Sequence, residues 1–187
     1  ILPLIFLSGY IHSSGFLRTD GRNIVDENGD TILLRGFGLG GWLVQEGYMW
    51  NVHGFFGSTT NLQNEIINLV GGDNANTFYQ AYYQNYITEA DVSEIAGQGF
   101  NALRVPFHYK FFSPAPGEFI EEGFNLLAPL LDWCSTYGVY LILDMHCAPG
   151  AQNTNDFSDS DGQVAGLWIQ QSYRDWTRAI WWYIASY

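Results

Sequence analysis

Arg104 sits inside an apolar run, Ala102 to Pro106, and a lone guanidinium within a sheet is costly unless something pairs with it. A second apolar run, Val139 to Leu143, leads straight into Asp144-Met145-His146. With the period of two that strands impose, Ala102, Arg104 and Pro106 share one face, and Ile142, Asp144 and His146 share one face of the next strand. If these strands are parallel neighbours, a cation, a carboxylate and an imidazole fall together at their C-terminal ends. Open α/β sheets and barrels keep their ligand sites there. The competing reading is an internal salt bridge that satisfies Arg104, with His146 hydrogen-bonded beside it.

Three further patterns are weaker. Gly36-Phe37-Gly38-Leu39-Gly40-Gly41 matches the glycine fingerprint of dinucleotide folds. Its context fails, because Trp42 to Met49 is too short for a crossover helix, Gly47 interrupts it, and no ribose-binding acid follows on a second strand. Glycine here more plausibly lets a strand end turn sharply or approach another backbone. Asp156, Ser158, Asp159, Ser160, Asp161 and Gly162 hint at a calcium loop, but Phe157 stands where an acid is needed and no Glu closes the loop. A solvated acidic loop is expected instead. Cys134 and Cys147 lack metal-ligand spacing. They fall near opposite ends of one strand, too far apart for a disulfide, so both are expected to be free thiols.

The elements that must position these residues alternate. Phe16 to Leu34 reads as short strand, turn, short strand, with turn chemistry at Thr19-Asp20-Gly21 and Glu27-Asn28-Gly29-Asp30 around Ile24-Val25 and Ile32 to Leu34. Asn61 to Val70 and Ala75 to Tyr83 read as short helices broken at Gly71-Gly72-Asp73. Thr88 and Asp91 make a capping-box start for a helix to about Gln98. Asn101 to Val105 follows as a strand that Pro106 ends. Leu127, Leu130, Leu131, Cys134 and Tyr137 mark a helix face stopped by Gly138, and Val139 to Leu143 is apolar on both faces, as a covered parallel strand is. A long polar loop to Asp161 precedes a last helix, on which Tyr173, Trp176, Ile180, Tyr183, Ile184 and Tyr187 form one face. Alternation of apolar strands and helices predicts parallel βαβ units.

Composition narrows the ligand. The 187 residues carry seven Lys plus Arg against 19 Asp plus Glu, a net charge of -12, with 17% aromatics and seven Trp. Nucleic acid and anionic membranes need clustered positive charge, so both are disfavoured. An acidic, Trp-rich surface suits a neutral polar ligand such as a sugar. Ile1 to Leu7 is apolar and far short of a membrane span, and residues 1–15 are expected to be the remnant of a secretory signal peptide. The last helix has no stop signal, so residues 16–187 are expected to be the N-terminal part of a larger domain.

Arg35-Gly-Phe-Gly-Leu-Gly-Gly-Trp-Leu-Val44, Asn101-Ala-Leu-Arg-Val-Pro106 and Leu143-Asp-Met-His146 with Ala148-Pro149-Gly150 and Gln152 together resemble glycoside hydrolase family 5, most closely its exo-β-1,3-glucanase and related β-glucanase branches. The resemblance implies a (β/α)8 barrel, of which this chain holds roughly the first three βα units after a short β-hairpin. It implies hydrolysis of O-glycosidic bonds in β-glucan with retention, in polysaccharide degradation by a secreted enzyme without cofactor or metal. By the resemblance Arg104 and His146 line the subsite of the cleaved sugar, Glu46 is the acid of the first-strand loop, and Asn153 and Asp156 are loop contacts. Trp42 and Trp50 are candidate stacking walls. The acid/base and nucleophile glutamates of a retaining mechanism match nothing here: the lone Asn64-Glu65 lies in an early helix. Both are expected beyond Tyr187, so the chain alone is expected to be inactive. A non-catalytic carbohydrate-binding protein on the same scaffold is the rival reading.

Overall fold

The computed structural model describes residues 15–52 and 57–187; the expected signal remnant lies almost wholly outside them. The chain opens with an antiparallel hairpin, β1 (Arg18–Asp20) and β2 (Asn23–Val25). Ile32 to Leu34 does not extend it as a strand. The backbone returns beside β2 through a single bridge, Val25 to Thr31, and one Ile32 N–H to Ile24 C=O bond of 2.8 Å.

Three parallel strands follow, β3 (Gly36–Gly38), β4 (Ala102–His108) and β5 (Tyr140–Cys147), ordered β3-β4-β5. Between β3 and β4 run α1 (Thr59–Val70), α2 (Gly72–Asn85) and α3 (Glu89–Gly97). Helix α4 (Glu122–Tyr137) joins β4 to β5, and a long loop, the short α5 (Gly166–Ile169) and α6 (Gln171–Ser186) follow β5. The Thr88–Asp91 capping box forms, with the Asp91 carboxylate accepting from Thr88 N–H at 2.8 Å. This is a parallel α/β sheet with helical crossovers from β3 to β4 and from β4 to β5.

Pro106 does not end β4. The strand runs two residues further, and the register explains why. Ala102 N–H donates to Arg35 C=O and Leu39 N–H donates to Arg104 C=O, so even-numbered residues of β4 present their amide groups to β3. Because β3 stops level with Arg104, the donor that Pro106 lacks would have faced no strand partner, and proline costs the ladder nothing there.

One sheet face is packed. Leu103, Val105 and Phe107 are fully buried with Val92, Leu130 and Ile180 from α3, α4 and α6, and Leu141, Leu143 and Met145 of β5 pack on the same cluster. The α6 face expected from periodicity is present: Ile180 is buried, while Trp176, Tyr183 and Ile184 line the core and Tyr187 stacks on Phe124 at 3.9 Å. Period two then forces Arg104, Ile142, Asp144 and His146 onto the opposite face, where among the described residues no helix lies and Ile142 is 40% exposed.

Candidate functional site

On that open face Arg104, Asp144 and His146 meet. Arg104 Nη2 donates to Asp144 Oδ2 and lies 3.1 Å from His146 Nδ1, and Nδ1 lies 2.9 Å from the same carboxylate oxygen. A carboxylate oxygen can accept from both a guanidinium and an imidazole N–H. With the ring proton on Nδ1, Nε2 is an acceptor for a ligand hydroxyl; with it on Nε2, Nδ1 accepts from Arg104. The arrangement fits both readings of Arg104: it is ion-paired, yet its side chain remains 43% exposed on a face that no described helix covers. It lies mid-strand on β4, level with the last residue of β3, rather than at the strand terminus.

The β5 loop is braced against this cluster. Gln152 reaches back, its amide donating to His146 C=O while its Oε1 accepts from Ala148 N–H at 3.2 Å. Phe157 faces the His146 ring at 6.1 Å. Glu46 opens a 3-10 turn, Gly47–Trp50, after β3. Burial raises its pKa and the charge of Asp156 adds to that, while Arg104, and His146 when protonated, pull it down. Glu46 thus shares one electrostatic neighbourhood with Arg104, His146 and Asp156. Asn153 is built into the loop instead: its Oδ1 accepts from Asn155 N–H and Ser158 Oγ, each at 2.8 Å.

Residues 59–186 match the cellulase model, glycosyl hydrolase family 5. The chain belongs to this family. It is 33% identical over 168 residues to a β-xylosidase of Phanerodontia chrysosporium, covering 89% of this chain and 34% of that protein. It is 31% identical over 160 residues to glucan 1,3-β-glucosidase 1 of Schizosaccharomyces pombe, covering 82% and 38%. Among solved structures it resembles AoRut (TM-score 0.64, 26% identity, 79% of this chain and 41% of that one). The fold is also that of a rutinosidase from Aspergillus niger (TM-score 0.65, 22% identity, 78% and 41%). The chain thus spans about a third to two fifths of the proteins it matches.

In this family 5 chain the glycine run that starts in β3 serves packing. A Cβ at Gly36 would overlap the Ala102 carbonyl, and among the described residues only a single 3-10 turn, Gly47–Trp50, stands between the run and the first α-helix at Thr59, so no α-helix N-terminus follows the run to hold a pyrophosphate. Trp42 is not a stacking wall. It is 3% exposed, and its indole N–H donates to Tyr83 C=O at 2.9 Å. Trp50 packs at 5.3 Å from Tyr82 and 6.3 Å from Phe78. Cys134 and Cys147 are free and buried, and burial pushes the Cys134 thiol up to about 12 and Cys147 higher still.

The acidic loop departs from the solvated reading at one residue. Asp159, at 10% side-chain exposure, accepts from Thr60 N–H at 2.8 Å and Thr60 Oγ1 at 2.6 Å, and from the ring Nε2 of buried His108 at 2.9 Å. Burial alone would raise its pKa, but these bonds outweigh it and hold the carboxyl well below the usual range. Burial lowers the His108 pKa against the pull of Asp159. Lys110 N–H donates to the other ring nitrogen, Nδ1, at 3.2 Å, so a neutral imidazole bonded through both nitrogens satisfies the site. Nothing in the sequence around His108 or Asp159 announced this pair, which lies 51 residues apart.

Proposed function

We propose that this chain is the N-terminal, sugar-orienting sector of a secreted β-glucanase-type hydrolase that works with retention. The observation that carries the reading is the Arg104–Asp144–His146 cluster on the sheet face the helices leave open. Three parallel strands with their crossovers correspond to the first three units of a (β/α)8 barrel, and this open face becomes the barrel interior once the remaining strands close it. The names of relatives that act on glucan support a β-linked substrate.

The chemistry follows from the donor set. Sugar hydroxyls both donate and accept, and the cluster offers guanidinium donors beside an imidazole nitrogen in fixed directions. Asp144 already accepts from Arg104 at the oxygen that faces His146, which suits it to orienting them rather than to proton transfer or nucleophilic attack. Glu46 and Asp156 supply acceptors at the rim. Retention needs one protonated and one nucleophilic carboxyl about 5–5.5 Å apart. In this reading both belong to the rest of the barrel.

The test is substitution in the full-length enzyme. Arg104→Ala and His146→Ala should each lower kcat/KM on β-glucan more than about tenfold, because hydrogen bonds that tighten in the transition state are lost. Near wild-type kinetics in both variants would make the cluster an internal salt bridge. Binding of β-glucan by the full-length protein without any turnover would favour the carbohydrate-binding reading.

A further inference from the structure

Asp159 gathers three chain segments at one carboxylate. It belongs to the loop after β5, Thr60 lies in the first turn of α1, and His108 is the last residue of β4. Lys110, just past β4, stands 3.7 Å from Asp159 Oδ2 and donates to Thr60 Oγ1 at 3.1 Å. Asp159 itself has a left-handed backbone, φ 56, as the residue that ends the 3-10 turn. An acid needed only for solubility would be neither buried nor so bonded. Asp159 directly follows the 3-10 turn Asp156–Ser158. Ser158 is buried and donates to Asn153 Oδ1, so the turn that ends at Asp159 is tied to Asn153.

We propose that Asp159 is a positioning residue for sugar binding: by clamping the β5 loop to the first turn of α1 and the end of β4, it fixes Asp156 against Gly57, whose carbonyl accepts from the Gly47 N–H next to Glu46. The inference rests on the sugar-site reading above and deepens it. Asp159 touches no substrate. It sets the place of a residue that does, and a contact held equally in ground and transition states changes KM more than kcat.

Two readouts in the full-length enzyme test this. In Asp159→Asn, which keeps the size but turns an amide toward the donors of Thr60 or His108, amide hydrogen exchange of residues 153–161 should quicken about tenfold while α4 is unchanged. KM for β-glucan oligosaccharides should rise about five- to tenfold with kcat within about twofold. That rise should vanish in an Asp156→Ala background, because a clamp whose cargo is gone has nothing left to place. Unchanged loop exchange overturns the clamp. Additive effects of Asp159→Asn and Asp156→Ala overturn the positioning role even if the loop loosens. If Asp159→Asn fails to fold, Thr60→Val, which removes one donor and keeps the backbone one, should give the same pattern at smaller size, and its absence overturns the proposal. If Arg104→Ala and His146→Ala both leave hydrolysis intact, the sugar-site reading has failed and takes the positioning role with it, whereas the exchange result shows separately whether the clamp exists.

Discussion

A buried imidazole beside a buried carboxylate ties the stability of this chain to pH. His108 is held below its ordinary pKa of 6.5 by burial, so folding prefers its neutral form. The resulting stability is fully present above pH 6.5 and is lost as pH falls through the folded value. Asp159, held below its ordinary 3.8, adds stability present above pH 3.8 that is lost only at stronger acid. Glu46, raised from 4.5 mainly by burial, has the opposite sign: its contribution is present below pH 4.5 and is lost as pH rises. Urea midpoints of the full-length protein should therefore fall between pH 7 and pH 5, and His108→Gln should flatten that fall. A midpoint equally steep in the variant would place the titrating group elsewhere. At this scale the sequence was legible where chemistry and alternation coincide. Arg104, Asp144 and His146 stand on one face because strands have period two. His108 and Asp159 were illegible because their partnership runs between loops, and no local periodicity reports it.

Elements were legible in kind and misjudged at their ends. Helix α3 starts at its capping box, and α6 buries the face its spacing specifies, because both signals are local. Pro106 was read as a strand end, whereas its effect depends on how far the neighbouring β3 extends, which β4 cannot encode. Helix α4 begins at Glu122 and carries Pro129 within it, so the breaker again did not decide the boundary. The loop after β5 offers a sharper test. Gly150 has φ 77, and a Cβ there would overlap the Tyr173 ring of α6. Gly150→Ala in the full-length protein should cost about 1–3 kcal/mol by overpacking and backbone strain, read as a lowered urea midpoint. An unchanged midpoint would mean that this turn does not seat α6 on the loop.

Among the described residues the helices pack on one sheet face, and on the other Ala102, Pro106 and His108 are buried while Arg104 and Ile142 stay exposed. Helices cover the face of Leu103, Val105 and Phe107, while the other carries Ile142 and the polar cluster, and among the described strands β5 has no neighbour beyond β4. A parallel sheet is stable when both faces and its edges are covered. The 187-residue chain alone should therefore melt broadly and bind a hydrophobic dye. A sharp, cooperative melt of a monomer would point to a self-sufficient fold. The most direct test of sugar orientation without the reacting carboxylates is a hydrolysis assay of this chain by itself, following nitrophenol release from an aryl β-glucoside against a boiled control. In the proposed reading Arg104, His146 and Glu46 hold a sugar and the acid and nucleophile lie elsewhere, and binding without a placed acid and nucleophile lowers no barrier at the anomeric carbon. Release indistinguishable from the control is expected. Turnover that disappears on replacing Glu46, whose protonated form burial favours, or Asp144 would contradict it, because the carboxylate chemistry would then lie within these residues.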